Sequence, residues 1–392
     1  MNKPMSKNAL LLGILVFLTA SCLITVKPVR ATEDSWTTKA PMPTARRDVG
    51  LAVVKGKIYA IGGWNGSYVA ANGEYDPATN TWTTKAPMPT PRYGFAIFAF
   101  ENKIHVVGGN VNGVQPTSAH EVYDPETNSW ETKESASNLL AYREGYDTNV
   151  VDGKVYIMGG QSSPFRPWPS TNENTVYDPA TDTWTSGSPM PIGVASYASV
   201  VVGNKIFVIG GRNYNYDPST FNLTQVYDTG TDTWSYGTSM YAPATQIDGG
   251  ATTGLYAPKK IYVFGGLTFQ NGESISTAIT RVYNPETDSW NTGSSMPTQR
   301  VRFNVAVVDD KIYVIGGQIA TENNESSHMY KSENEQYTPI GYVTPDKSSS
   351  TPSQEPPTKP EPFPTVLVVA VSVASAGIIV VGLLVYFKKR KR

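Results

Sequence analysis

One apolar strand pattern recurs six times along the middle of the chain. Its clearest copy, KIYVIGG at residues 311–317, combines β-branched and aromatic residues and ends in two glycines. The second glycines of successive copies are 46, 51, 51, 55 and 51 residues apart. A period near 50 that survives insertions predicts stacked supersecondary units, each of which buries its apolar faces against its neighbours.

Within each unit, apolar runs and turn residues predict four antiparallel strands, a to d. Strand a is an apolar stretch such as residues 304–308, and a polar two-residue turn such as Asp152-Gly153 follows it. Strand b is the KIYVIGG element, and strand c ends in Tyr-Asp-Pro or a close variant. Strand d contains a tryptophan seven residues after that tyrosine. We expect these tryptophans to fill the wedges between units: Trp82, Trp130, Trp184, Trp234 and Trp290.

The two ends of the repeat region complement each other. The segment WTTKAPMP at residues 36–43 is the end of a unit that has no strand b before it, whereas the sixth unit stops at Pro339 without a tryptophan strand. We therefore expect the N-terminal strand to complete the last unit. That arrangement closes a ring and removes the unpaired sheet edges of an open array.

Three motifs recur in order along the repeats: the paired glycines, then Tyr-Asp-Pro-x-Thr-x-x-Trp, then Met-Pro, often followed by an arginine. Together they resemble the kelch repeat over about residues 35–339. The resemblance implies an all-β fold, a six-bladed kelch β-propeller closed by the N-terminal strand. It also implies that the arginine after Met-Pro, found as Arg46, Arg92 and Arg300, belongs to the repeat and is structural. Departures are local, such as Thr229 in place of a proline.

The composition outside the repeats indicates export and anchoring. We predict a signal peptide at residues 1–31, the propeller at 32–339, a Pro/Ser/Thr-rich stalk at 340–364, a transmembrane helix at 365–387 and a basic cytoplasmic tail at 388–392. The alternatives are an uncleaved N-terminal anchor, a lipid on Cys22, and a C-terminal sorting signal whose helix is removed. These segments predict a single-pass protein of the cell membrane with its propeller outside and its C-terminus in the cytoplasm.

Charge, cysteine and histidine content limit the possible partners, disulfides and metal sites. Acidic residues outnumber basic ones between the two ends of the chain, which argues against nucleic acid as a partner. The single cysteine excludes an internal disulfide. The three histidines are scattered, so we expect no metal site, cofactor or catalytic residue. His105 stands where strand b otherwise has an aromatic residue, so we expect it to pack in the core. We expect a monomer.

The order of strands a to d places two kinds of loop on the same face of the propeller: the b-c loops within a blade and the d-a loops that lead to the next blade. The b-c loops vary in length, as recognition loops do. Arg212 and Arg302 resemble positions at which kelch substrate adaptors hold acidic peptides, and a guanidinium also suits an acidic sugar. We therefore expect these loops to bind an extracytoplasmic protein or an envelope glycan, with ordinary solvated arginines as the alternative. The candidate binding residues are Arg47, Trp64, Arg143, Arg166, Trp168, Arg212, Tyr214 and Arg302.

Three sequons in b-c loops predict glycosylation at Asn65, Asn222 and Asn324. An enzyme is the rival function, because bacterial sialic-acid mutarotases are similar six-bladed kelch proteins. Asp48 beside Arg47, or Glu144 beside Arg143, would supply its acid/base group. Adjacent strand residues point to opposite faces, which counts against either pair. A structural spacer without a small ligand is the remaining alternative.

Overall fold

A computed structural model describes residues 32–111, 117–133, 145–161, 169–213, 220–270, 273–320 and 329–344. They lie in a compact unit that ends at Thr344, and their regular secondary structure is all β. The predicted signal peptide, transmembrane helix and basic tail lie outside these residues, as does the stalk beyond Thr344. The described residues contain no helix with the length and hydropathy needed to span a bilayer.

The strands form six four-stranded antiparallel sheets, the blades of a propeller. The first strand is β1 (Ser35–Lys39). Blade 1 contains β2 (Gly50–Val54), β3 (Lys57–Ile61), β4 (Asn72–Asp76) and β5 (Thr81–Lys85). Blade 2 contains β6 (Ala96–Phe100), β7 (Lys103–Val107), β8 (His120–Asp124) and β9 (Ser129–Lys133). Blade 3 contains β10 (Asp147–Val151), β11 (Lys154–Met158), β12 (Asn174–Asp178) and β13 (Thr183–Gly187).

The remaining blades follow the same order and carry two small extra hairpins in their b-c loops. Blade 4 contains β14 (Ala198–Val202), β15 (Lys205–Ile209), β16 (Thr224–Asp228) and β17 (Thr233–Gly237). Blade 5 contains β18 (Asp248–Ala251), β19 (Ile261–Phe264), the hairpin β20 (Leu267–Gln270) and β21 (Glu273–Ser276), β22 (Thr280–Asn284) and β23 (Ser289–Gly293). Blade 6 contains β24 (Asn304–Val308), β25 (Lys311–Ile315), the hairpin β26 (Gln318–Ile319) and β27 (Met329–Tyr330), and β28 (Asn334–Thr338).

The N-terminal strand completes blade 6, as the sequence predicted. In that sheet β1 pairs with β28, and Ser35 lies opposite Thr338. The indole nitrogen of Trp36 donates to the Ser294 carbonyl of blade 5 at 2.8 Å. The a strands contact one another in cyclic order, from β2 through β24 and back to β2, and surround a central channel. The ring is therefore closed by strand pairing and by contacts between blades.

The core is divided among the wedges between blades, because strand b is buried on both faces. Ile58 and Ala60 of blade 1, for example, pack with Ala306 and Tyr313 of blade 6. The repeated tryptophans link neighbouring blades: the indole nitrogen of Trp82 donates to the Ala40 carbonyl at 2.8 Å. Trp130, Trp234 and Trp290 make the equivalent bond. The predicted wedge role is thus confirmed for these side chains.

The paired glycines act both as left-handed turn residues and as points of close approach. Gly62 and Gly63 have φ values of 63° and 105°. A Cβ atom on Gly62 would lie 2.7 Å from the Arg92 carbonyl oxygen, and one on Gly63 would lie 2.8 Å from that of Arg47. Any side chain here would therefore clash with the segment that enters a strand a.

The b-c and d-a loops gather on one face, which we call the mouth face, and the a-b and c-d turns form the opposite face. Blade 5 departs from the predicted two-residue a-b turn and has a longer loop between β18 and β19. The Asp310 carboxylate holds that loop by accepting the Thr253 and Tyr256 amides at 2.6 and 2.7 Å. Val343, near the end of the described chain, donates its amide to the Tyr256 carbonyl at 2.7 Å. Both ends of the described propeller therefore lie at the opposite face.

Candidate functional site

A cavity of about 150 Å³ opens on the mouth face, where the central channel begins. We call it the mouth cavity. It is lined by the d-a loops, by the first residues of the a strands, and by Gln161 and Arg212 at the start of two b-c loops. Tyrosines and amide side chains also line it, among them Tyr93, Tyr197 and Gln246. The charged lining residues that the structure describes are Asp48, Asp147, Asp248, Arg212 and Arg302.

A repeated backbone position forms the rim of this cavity. Shortly before strand a, every blade has a residue in the left-handed region, with φ between 49° and 66°. Backbone hydrogen bonds join several of these residues from blade to blade: the Asp48 amide donates to the Arg302 carbonyl at 2.9 Å, and that of Gln246 to Ser196 at 2.7 Å. The residues are Asp48, Gly94, Gly145, Ser196, Gln246 and Arg302. The fold therefore holds six variable side-chain positions around the channel mouth.

Three charged side chains form a network across the junction of blades 6 and 1. The Asp48 Oδ2 atom accepts from Nη1 of Arg47 and, at 3.3 Å, from Nη1 of Arg302. The Asp48 and Arg47 side chains are 20% and 16% exposed, and that of Arg302 is 37% exposed. Since one carboxylate contacts both guanidiniums, the two arginines share an internal counter-ion.

Two further carboxylates reach the mouth cavity from blades 3 and 5. Asp147 accepts from the Ser199 hydroxyl at 3.0 Å, and Asp248 accepts from the Val305 amide at 2.7 Å. Neither forms an ion pair with a lysine or arginine of the described residues. Burial raises the pKa of Asp147, and burial together with the charge of Asp147 raises the pKa of Asp248 well above its ordinary value. The cavity thus contains two carboxyl groups that bind a proton more tightly than an ordinary aspartate does.

An aromatic cluster lies beside the mouth cavity. The Trp64 ring contacts Tyr68 and Tyr93 edge-on, at centroid distances of 4.9 and 5.7 Å, and its indole nitrogen donates to the Tyr330 hydroxyl at 3.1 Å. The Arg47 guanidinium lies 5.7 Å from the centroid of the Tyr93 ring. The cluster joins the loops of blades 6, 1 and 2 into one wall.

The structure brings four of the predicted binding residues to this region. Arg212 and Arg302 line the mouth cavity. Arg47 and Trp64 lie beside it, and their backbones form a two-way bridge with N···O distances of 3.0 and 2.9 Å. The other predicted binding residues, Arg143, Arg166, Trp168 and Tyr214, lie outside the described residues.

The arginines assigned to the repeat itself are buried. Arg92 donates to the Glu121 carboxylate at 2.5 Å, and Arg300 contacts Glu335 in the same way. Arg46 is also buried, donates to the Ala60 carbonyl at 2.8 Å, and has a pKa lowered to about 10 by burial. These side chains support the blades and are not exposed to a ligand.

The two described sequons differ in environment. The Asn65 side-chain oxygen accepts from the Ser67 amide and hydroxyl at 3.3 and 3.0 Å in a partly exposed turn. The Asn222 amide nitrogen donates to the Met240 carbonyl at 2.8 Å, and Thr224 of the same sequon is fully buried. Asn324 lies outside the described residues.

The two histidines among the described residues lie away from the mouth cavity. His105 and His120 form a buried pair in blade 2, with Nδ1 of the first 2.9 Å from Nε2 of the second, and His105 stacks on Phe98. Burial first, then the neighbouring His120, lowers the pKa of His105 to about 3. Burial and Lys133 lower the pKa of His120 to about 4. Within the described ranges, no cluster of His, Cys, Asp and Glu has the arrangement of a metal site.

Three polar residues of the cavity lining were not predicted from the sequence: Asp147, Asp248 and Asn304, which begin strand a in blades 3, 5 and 6. The equivalent residues of the other blades are Gly50, Ala96 and Ala198. The sequence signal that could have identified them is a polar residue at a strand position where the other blades have glycine or alanine.

Comparisons with known proteins agree with this architecture. The Attractin/LZTR1 beta-propeller family model matches residues 115–341, more than half of the chain, and the Kelch motif model matches residues 45–89 and 91–135. The chain belongs to the kelch-repeat β-propeller family. This kelch propeller is 32% identical over 176 residues to Kelch-like protein terF of Aspergillus terreus, an alignment that covers 43% of the chain and 37% of the relative.

A second relative matches over a similar share of the chain. Human Kelch repeat and BTB domain-containing protein 12 is 27% identical over 195 residues, 47% of the chain and 31% of that protein. The kelch propeller thus spans about a third of the length of the curated relatives it matches. A solved structure of YjhT superimposes with a TM-score of 0.63 at 17% identity, covering 76% of the chain and 95% of YjhT, which shows a shared fold.

Proposed function

We propose that this kelch propeller is a binding module outside the cell, anchored by its C-terminal apolar segment, that takes an extracytoplasmic protein or an envelope glycan at the mouth cavity. One observation carries the proposal: arginines, carboxylates and tyrosines from several blades converge on a single open cavity of about 150 Å³. Concave sites with a few convergent polar groups are where proteins place ligands. Kelch propellers generally bind protein partners, which supports the same assignment.

The positions of the two ends of the described propeller support a tethered receptor. Ser35 and Val343 lie at the face opposite the mouth cavity, because β1 begins there and Val343 bonds to the a-b loop of blade 5. A membrane tether joined at that face leaves the mouth cavity open to partners.

The test measures thermal midpoints of the full-length protein with fractionated envelope proteins and polysaccharides, since a ligand of the native state raises the midpoint by mass action. We expect a shift that Arg212→Glu abolishes, because this substitution reverses a charge in the mouth cavity. Lys154→Glu is the matched control, because Lys154 is exposed at the opposite face. A shift that disappears in Lys154→Glu but survives in Arg212→Glu would contradict a site at the mouth.

A sugar-modifying enzyme is the second candidate, and the shared cavity of Asp147 and Asp248 favours it. Carboxyl groups with raised pKa values can donate and accept protons near neutral pH. Asp48 is less suited to that role because two guanidiniums hold its carboxylate. An anomerisation assay with reducing sugars tests the idea: a rate that Asp147→Asn leaves unchanged would contradict it.

A further inference from the structure

The charge network at the mouth cavity bears on which ligands this site accepts. The kelch resemblance predicts that Arg302 is available to an acidic ligand, and Arg47 is among the candidate binding residues. In the structure the Asp48 carboxylate already contacts both guanidiniums, with Arg302 at 3.3 Å. An acidic ligand would have to share those donors with Asp48 or displace it.

Displacement of Asp48 is opposed by its backbone. The Asp48 amide donates to the Arg302 carbonyl at 2.9 Å, and its φ of 49° lies in the left-handed region. Both features fix the backbone from which the side chain contacts the two arginines. A carboxylate released from that contact would remain partly buried and without its counter-ions, which is costly.

The other charged residues of the lining that the structure describes are Asp147, Asp248 and Arg212. The two carboxyl groups offer hydrogen-bond partners to ligand hydroxyl or ammonium groups, and whichever of them is ionised repels an anion in the cavity.

We propose that Asp48 is an internal counter-ion that competes with acidic ligands for Arg47 and Arg302, so that the mouth cavity does not select anionic groups over neutral or cationic ones. This specificity rests on the proposed binding function. It limits the charge class of the ligand and gives one side chain the deciding role.

Three monosaccharides with the same pyranose frame test the charge preference directly: glucosamine, glucose and glucuronate. Their dissociation constants for the full-length protein are measured by ligand-detected NMR, at constant ionic strength slightly below neutral pH. We expect glucuronate to bind no more tightly than glucose or glucosamine. Glucuronate binding about tenfold more tightly than the other two sugars would overturn the proposal.

Two substitutions then test the role of Asp48. Asp48→Asn removes the internal charge but keeps a side chain that tolerates left-handed backbone, and we expect it to tighten glucuronate binding about tenfold. Arg302→Asn, at another left-handed position, should instead favour glucosamine by leaving Asp48 less neutralised. Asp152→Asn is the matched control, because Asp152 is an exposed aspartate at the opposite face with a φ of 49°.

The outcomes separate this proposal from the function it rests on. No gain for glucuronate in Asp48→Asn refutes the counter-ion role, even if envelope partners bind at the mouth. A gain in Asp48→Asn establishes the counter-ion role, even if no envelope partner raises the thermal midpoint.

Discussion

Among single residues, one buried position of strand c carries side chains of different chemistry in different blades. Glu121 in blade 2 accepts from Arg92, whereas Gln225 in blade 4 bonds in both directions with the backbone of Ile192. In blade 5 the residue is Arg281, which donates to the Gly265 carbonyl at 3.1 Å. The repeat predicted buried arginines, but their partners come from another strand and follow no local pattern.

The carboxylates of the mouth cavity give the residue-scale prediction. The negative charge of Asp147 contributes to the raised pKa of Asp248. We therefore expect Asp147→Asn to lower the pKa of Asp248 toward its ordinary value, measured by NMR titration of selectively labelled aspartate carboxyls. Asp152→Asn, far from the cavity, should leave that titration unchanged. An unshifted Asp248 in Asp147→Asn would show that the two carboxyls do not interact.

At the scale of strands, β7 and β8 differ from their counterparts by a buried histidine pair. His105 replaces the tyrosine or phenylalanine of strand b, and His120 replaces the Asn or Thr that begins strand c. One ring must accept where the other donates, so the pair is built for neutral imidazoles. The sequence predicted core packing for His105 but gave no sign of its partner, which is fifteen residues away.

This pair predicts an acid-sensitive blade. Both pKa values are lowered on folding, so the unfolded chain binds more protons below about pH 6.5 and stability falls with pH toward the folded values of about 4 and 3. The pair should cost roughly 2–4 kcal/mol of unfolding free energy between about pH 7 and about pH 5. Urea unfolding at the two pH values measures this loss.

The control is the double substitution His105→Tyr with His120→Asn, which gives blade 2 the residues that Tyr59 and Asn72 provide in blade 1. We expect this variant to lose less stability on acidification. Equal losses in the two proteins would assign the acid sensitivity to other groups.

At the scale of the whole molecule, the ring is closed by non-covalent contacts between the two ends of the propeller. β1 pairs with β28, and Trp36 packs on Phe264 and Tyr337 at centroid distances of 5.4 and 5.1 Å. Every other blade has its strands joined in sequence by short turns or b-c loops. In blade 6, therefore, β1 can separate from β28 and open the ring while the consecutive strands of every blade stay paired.

Trp36→Ala tests this expectation. The lost packing should cost about 2–4 kcal/mol and speed hydrogen exchange of the β28 amides in particular. Trp82→Ala removes the equivalent ring in blade 1, where all four strands are consecutive, and should leave β28 exchange much less affected. Similar exchange of β28 in both variants would mean that the closing strand is no weaker than an internal one.

Local sequence was enough to predict the all-β class, the six blades and the closing strand, because glycine pairs, turns and tryptophans recur at a period that each blade imposes locally. It also named Arg47, Trp64, Arg212 and Arg302, since the loops that contain them follow from strand order. The structure was needed to show that Asp48 contacts two of those arginines and that Asp147 and Asp248 share their cavity. Asp48 and Arg302 are 254 positions apart, and blade packing around the channel, not local pattern, sets which of these distant side chains meet.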